Sequence, residues 1–309
     1  MSKRIVFLYC TQKNKEDLMR CESIIRALLR KFRKSALFSY VKLDASLTCR
    51  EQMRDLISKE TNRADVVFLE CDRGNLSSGM DLLKDIFGIC ATAHHVSGRA
   101  ICFPEKKTCV QNSENTLICT EIYAKENIQR AMLIALKLAK AHKRSLSICL
   151  NSSEETDSLF LHEAEYSLCK EKHIDSQYIS LEKMIALCTK TIPSFDVVLT
   201  LEDYASIIAM HLNSLPAIPS GFLVSYGEKA RIFRRQLLEC DEMSNLHLLS
   251  TLLSIASAFE SELGMNSAGA WLKRAVSLAF ENGACDTPDV FTKKVIDEIN
   301  SPIRKRKAE

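Results

Sequence analysis

The segment FDVVLTLEDYASIIAM, Phe195 to Met210, decides how this chain is read. FDVVLT is a short apolar run of the kind that makes a buried strand. LED is a polar turn, and YASIIAM carries apolar residues at helical spacing. A strand that runs through a short turn straight into a helix is the repeating piece of a sheet with helices on its faces.

Working outward, the same alternation recurs along most of the 309 residues, a length that allows two domains. RIVFLY reads as a central strand. Glu16 to Lys31 follows as a helix with Leu18, Cys21, Ile24, Ile25, Leu28 and Leu29 on one face. LFSYVKL and ADVVFLE read as strands, with a helix near Glu51 to Lys59 between them, and GMDLLKDIFGICATA as a helix starting just after Gly79. Asn127 to Lys143 is the clearest helix, with Ile128, Met132, Ala135, Leu136 and Ala139 aligned. SLSICL is a strand, Glu154 to Lys172 a helix, Ser176 to Ile179 a strand, and a helix begins at Leu181. Asn245 to Leu263, Ser267 to Glu281 and Pro288 to Ile299 close the chain as helices.

Composition excludes several classes. Hydrophobic residues are 46% and charged residues 26%, so the chain can build a core and is not a disordered segment. A net charge of +3 provides no global basic field for nucleic acid. No run reaches the ~20 apolar residues of a membrane span. The thirteen cysteines lack zinc-site spacing, and an odd number cannot all pair within one chain. They read as reduced, buried, small apolar residues. The first strand begins at Arg4, so no cleaved leader is expected, and the reduced cysteines make the cytoplasm the expected location. The basic end SPIRKRKAE reads as a solvated terminus, with nuclear targeting the other reading.

The order of elements, and not only their class, resembles the NAD(P)-dependent isocitrate and isopropylmalate dehydrogenases, the decarboxylating β-hydroxyacid dehydrogenases. SFDVVLTLEDYASIIAM is similar to the family pattern F-D-V-I-V-T-E-N-L-F-G-D-I-L-S-D. NIQRAMLIALKLAKAHKRSLSICLNSS resembles the helix and strand that deliver V-x-K-A-N, and LLKDIFGICATAHH sits where the family has L-R-K-x-F-D-L-Y-A-N-x-R-P. LHLLSTLLSIASAFESELG and ENGACDTPDVFTKKVIDEI resemble the closing segments. The resemblance implies an α/β, two-domain isopropylmalate-dehydrogenase-like fold with parallel or mixed sheets flanked by helices. Residues 1–98 with 218–309 would form a large nucleotide-type domain, and 99–217 a small substrate and dimerisation domain.

What the resemblance implies for chemistry is mostly loss. The family holds Mg²⁺ or Mn²⁺, hard cations that take carboxylate oxygens, on aspartates that fall here on Ser206, Met210 and Leu181. Neither a thioether nor an isobutyl group can replace them. The family lysine falls on Leu150, next to Cys149, and the tyrosine-bearing stretch after ENT (Glu114 to Thr116) reads as deleted against the family pattern. Tyr123 is placed at the start of the next helix. Carboxylate-binding arginines are replaced by Lys84 and His94, which lack the guanidinium fork. G-D-G-I-G-P-E corresponds to CTQKNKE, Cys10 to Glu16, and the adenosine loop shortens to RQLLECDEM. The nine glycines are well below the ~7% that is usual, so loops that would let backbone approach a nucleotide are filled with side chains.

The remaining candidates have plain readings. His94 and His95 read as a polar surface pair on a loop, and Asp65 and Asp196 as turn or cap residues at strand starts. Leu201 to Asp203 is a helix-start acidic cap, and Thr287 with Asp289 a capping turn before Pro288. Cys149 is a buried thiol, and Arg234 to Gln236 a solvated basic turn.

Two functions stand. One is a catalytically degenerate member of the family, a structural or regulatory subunit or binding module without cofactor, forming a homodimer or a heterodimer with a related subunit. The other is an active NAD-dependent oxidoreductase using Mg²⁺ or Mn²⁺ and completed by a partner chain. A nucleic-acid role rests on the basic tail alone.

Overall fold

The computed structural model describes residues 2–43, 50–71, 73–96, 98–113, 116–142, 145–151, 160–165, 174–189, 195–213, 221–235, 244–281 and 287–301. The chain forms two compact units, Met1–Ile86 with Ala230–Glu309, and Phe87–Lys229. The sequence-based divisions at 98/99 and 217/218 lie inside the second of these units.

In the discontinuous unit, β1 (Lys3–Tyr9), β2 (Ala36–Lys42), β3 (Val66–Glu70) and β12 (Arg231–Arg235) are parallel in the order β2-β1-β3-β12. β3 is buried throughout, and the apolar core of β1 from Ile5 to Leu8 is fully buried, as strands covered on both faces require. α1 (Gln12–Lys31) starts four residues before the sequence reading. Thr11 and Asn14 make a reciprocal capping box there, satisfying helix-end donors that a pattern of apolar residues cannot reveal. All six apolar residues assigned to its inner face are buried. α2 (Arg50–Thr61) leads to β3, and α3 (Arg73–Phe87) ends at Gly88, whose φ of +62° suits the left-handed stop residue. The helix therefore does not run on into ICATA, which is strand. The last helices are α7 (Ser244–Ser261), α8 (Asn266–Glu281) and α9 (Pro288–Asn300). Thr287 caps α9 through its hydroxyl, with Pro288 following, as the capping reading holds.

The continuous unit contains β4 (Ile89–Val96), β5 (Arg99–Pro104), β8 (Leu146–Leu150), β9 (Ser176–Ser180), β10 (Val197–Leu199) and β11 (Gly221–Gly227). Their order is β11-β4-β5-β10-β8-β9. The first two pairings are antiparallel and the rest parallel. Side chains alternate between two cores. Ala100, Cys102, Leu146, Ile148, Val197 and Leu199 pack with α4 (Lys125–His142), while Ile101, Phe103, Cys149 and Val198 pack under α6 (Glu202–Asn213). α5 (Leu181–Cys188) joins the second core through Met184 and Cys188. The five residues assigned to the inner face of α4 are all buried, each large one contributing about 1.5–3 kcal/mol.

β6 (Lys106–Ser113) and β7 (Thr116–Tyr123) form a separate two-stranded antiparallel hairpin, paired from Lys106↔Tyr123 to Ser113↔Thr116. This corrects the sequence reading of Tyr123, which ends a strand rather than starting a helix. Polar residues such as Lys107, Gln111 and Asn112 hid that strand from a reading based on apolar runs.

Candidate functional site

The quoted segment folds as read. Val197–Leu199 is a buried strand and Glu202–Asn213 a helix with Glu202 and Asp203 in its first turn. Ala205, Ile208, Ala209 and Leu212 turn inward. Asp203, Ser206 and Met210 lie on the outer side, with Met210 61% exposed. Ser206 Oγ donates to the carbonyl of Glu202 at 3.2 Å, and Asp203 is held by Lys106 Nζ at 2.9 Å and 3.0 Å. This face offers one lysine-bound carboxylate, one hydroxyl and one thioether. That donor set does not suit Mg²⁺ or Mn²⁺, which favour several oxygen ligands.

The other sequence candidates are spread through the units. Leu150 is buried in the core with α4, and Leu181 packs against the opposite core at the first turn of α5. Lys84 lies on α3. His94 and His95 are not a surface pair on a loop. Both are on β4, between β5 and β11, where His94 is buried edge-on to Phe103 and His95 stacks on Phe222 at 4.8 Å. Neighbouring alanines in ICATAHHV allow sheet packing there and gave no helical or loop period to mark the change.

Two polar clusters escaped the sequence reading. In the continuous unit, Thr92 donates to Glu105 Oε1 at 2.6 Å and its hydroxyl lies 2.8 Å from that of Ser225. The three sit on adjacent strands or just past one, and all are buried. Asn127 donates to the Glu105 carbonyl, tying the cluster to α4.

In the discontinuous unit, the ends of β1, β3 and β12 come together. The chain leaves β1 toward β2 on one side and returns to β3 on the other, the switch point where open α/β sheets commonly take ligands. Cys10 and Cys71, directly after those two strands, are joined by a disulfide with Cα atoms 5.3 Å apart. The reading of every cysteine as reduced is corrected here. The neighbouring parallel strands β1 and β3 are each followed directly by cysteine, YC at 9–10 and EC at 70–71, and that register was the available signal. Cys21, Cys90, Cys102, Cys149 and Cys188 are buried outside any disulfide, and burial pushes the Cys102 thiol up to about 12.

Beside the disulfide, Glu70 meets Arg235 Nε at 2.5 Å and accepts from Thr251 Oγ1 at 3.1 Å. Glu70 and Arg235 are both buried, so the solvated turn expected at Arg234 to Gln236 is instead, at Arg235, a strand end holding a buried ion pair. Burial raises the Asp17 carboxyl, with Arg20 and Arg235 opposing that shift. At this switch point the disulfide links the ends of β1 and β3, and Glu70 and Arg235 pair with each other. Among the described residues, no three His, Cys, Asp or Glu side chains gather closely enough to hold a metal ion. Also among the described residues, no helix is long and apolar enough to cross a membrane. Residues 236–243 of RQLLECDEM and residues 302–309 of the basic tail lie outside the described residues.

By sequence, no protein-family model and no curated protein matches. By structure, a β-decarboxylating dehydrogenase of Thermococcus kodakarensis aligns over 96% of this chain and 96% of its own, with TM-score 0.75 at 14% identity. An isocitrate dehydrogenase of Methylococcus capsulatus aligns over 97% and 100%, with TM-score 0.76 at 13% identity. A protein of Thermus thermophilus gives TM-score 0.80 over 100% of this chain and 70% of its own, at 15% identity. The fold is that of the decarboxylating dehydrogenases. At such identities the likeness concerns the dehydrogenase fold alone, and activity must be argued from the side chains.

Proposed function

We propose that this chain is a catalytically degenerate relative of the isocitrate and isopropylmalate dehydrogenases, working as a structural or regulatory subunit or a binding module in the cytoplasm. The observation that carries this reading is the outer face of α6, where Ser206 and Met210 stand at the positions the resemblance gives to two metal-binding aspartates. With Leu181 at the third position and Leu150 at the lysine position, neither cation nor proton transfer has a matching group. No nicotinamide cofactor belongs to this reading.

The assembly proposed is a homodimer or a heterodimer with a related subunit. The β6–β7 hairpin favours it, because two strands alone are marginally stable in water and gain from packing on a further surface. Among the described residues, no third strand pairs with this hairpin.

The test is a thermal-shift measurement with millimolar NAD, NADP and Mn²⁺, singly and together. The melting temperature should stay where it is. Ligand at a hundred times its Kd adds about 2.7 kcal/mol, which for a chain this long raises Tm by roughly 5 °C. A rise of that size with Mn²⁺ and nucleotide overturns the proposal in favour of an active oxidoreductase.

A further inference from the structure

The edge of β2 that is unpaired among the described residues carries a groove distinct from the switch point and from the outer face of α6. It has a volume of about 380 Å³ and is lined by Arg26, Leu29, Arg30, Lys34, Ser35, Ala36 and Phe38. Arg26 and Arg30 are one turn apart on α1. Arg33 adopts φ +53°, and the Lys34 amide bonds back to the Leu29 carbonyl at 2.9 Å, a closing turn that carries Lys34 to the same groove. Arg26 is engaged, donating to Glu22 and lying over Phe38 at 4.7 Å. Arg30 and Lys34 are exposed, and neither makes an ion pair among the described residues.

A helix C-terminus attracts cations, which is the plain explanation for basic residues here. Lys31 already serves that end of the molecule, donating to the carbonyls of Ile299 and Ser301 at the close of α9. The plain explanation also leaves the strand beside the groove unaddressed.

β2 pairs with β1 on one side, and among the described residues nothing pairs with the other. The ladder fixes which backbone groups are spare. Lys3 N–H bonds to Ser35 O and Leu43 N–H to Tyr9 O, so the odd-numbered residues of β2 face β1. Ala36, Phe38, Tyr40 and Lys42 therefore point their N–H and C=O groups outward. Ala36 and Phe38 are also groove residues. On the other face of the strand, Leu37 is 64% exposed.

From this juxtaposition we infer that β2 is a docking edge for an extended acidic segment of a partner protein, which adds as a further strand. Strand side chains alternate between faces. A guest with acids at every second position would set them against Arg30 and Lys34, and its apolar residues against Leu37. Main-chain pairing supplies affinity and the flanking pockets supply selection, as in other strand-addition complexes. A second copy of this chain does not fit, because β2 (ALFSYVK) carries no acid to set against Arg30 and Lys34. Nucleic acid fits less well, since Phe38 is already covered by Arg26 and the outward amides match a peptide ladder.

The inference is independent of whether the chain catalyses. It is tested on the full chain with a fluorescein-labelled peptide of alternating valine and glutamate, followed by fluorescence anisotropy. Matched probes are the valine–lysine peptide, the glutamate peptide N-methylated at alternate residues, and oligo-dT of similar charge. Saturable binding of the glutamate peptide is expected, at least tenfold weaker for the Arg30→Glu, Lys34→Glu double variant and for the N-methylated peptide. Both substituted positions are exposed, and circular dichroism of the variant checks its fold. In hydrogen exchange, the amides of Phe38 and Tyr40 should slow when peptide is added. Absence of binding, equal binding by the lysine or N-methylated peptide, tighter binding of oligo-dT, an unaffected double variant or unchanged amides each overturns the inference.

Discussion

Glu70→Gln should be among the most damaging single substitutions in the discontinuous unit. Glu70 is 1% exposed and Arg235 6%, with Nε and Oε1 2.5 Å apart. The substitution keeps shape and some hydrogen bonding but leaves a guanidinium buried without its counter-charge. Breaking a buried pair from one side costs about 3–5 kcal/mol. Asp17 lies within electrostatic reach of Arg235 and still offsets part of its charge, which puts the expected loss near the lower end, about 3 kcal/mol. Replacing both residues together, Glu70→Leu with Arg235→Met, removes both desolvation penalties and should recover at least ~2 kcal/mol of that loss. The chain has a single tryptophan, Trp271, which lies on α8 of the same unit with Nε1 on the Ile299 carbonyl. Its fluorescence during urea unfolding therefore reports the relevant transition, and the midpoint shift multiplied by the slope gives the energy. A loss below 1 kcal/mol for Glu70→Gln, or a double variant no better than the single one, would refute the argument that this charge is buried and paired.

Other expectations concern stability. Reducing the Cys10–Cys71 bridge, which spans 61 positions, should lower stability by about 4 kcal/mol on the chain-entropy estimate. The Trp271 transition with and without a phosphine reductant measures it, and an unmoved midpoint counts against the bridge. Gly269→Ala places a Cβ 2.5 Å from Glu260 Cγ and 2.6 Å from the Ala256 carbonyl, so α7 and α8 must part. A loss of about 1–3 kcal/mol is expected in the same urea assay, and a neutral result would mean the helices are looser than described. Burial raises the Asp65 carboxyl, but donation from the Arg4 amide and from Lys3 outweighs it and holds the group below its ordinary 3.8. The contribution is therefore present above the ordinary value and is lost as pH falls through the lowered one. Comparing acid unfolding of Asp65→Asn with the parent chain should show a smaller loss for the variant at low pH. Identical acid profiles would remove Asp65 from the account.

The fold was legible where burial imposes a clear period. The inner faces of α1 and α4 and the buried strands IVFL and VVFLE carry apolar residues at the spacing their partners demand. Legibility failed where strands carry polar or small residues. ICATAHHV is built around alanine and histidine, KKTCVQNS is mostly polar, and RIFRR ends in two arginines of which one is buried. What distinguishes those segments is the identity of their neighbours across the sheet. Arg235 is tolerable in a core only because Glu70, far away in sequence, waits beside it. The candidate site was legible in the same uneven way. Ser206 and Met210 were reached through the family resemblance, four residues apart on one helix, and their exposure came only with the structure. The Thr92–Ser225–Glu105 cluster joins three distant segments, and nothing local in any of them marks it.

The discontinuous unit has a consequence for how the molecule is made. β3 ends at Glu70, but its neighbour β12 begins only at Arg231, after the whole of the other unit. A ribosome working at about 5–20 residues per second needs on the order of ten seconds to deliver it. Throughout that interval the newborn amino-terminal strands have a second open flank, at β3, and an acid with no cation, the state in which chains of high contact order stick to one another. Synthesis speed and chaperone occupancy, as much as any contact in the finished molecule, will decide how much of this protein a cell obtains.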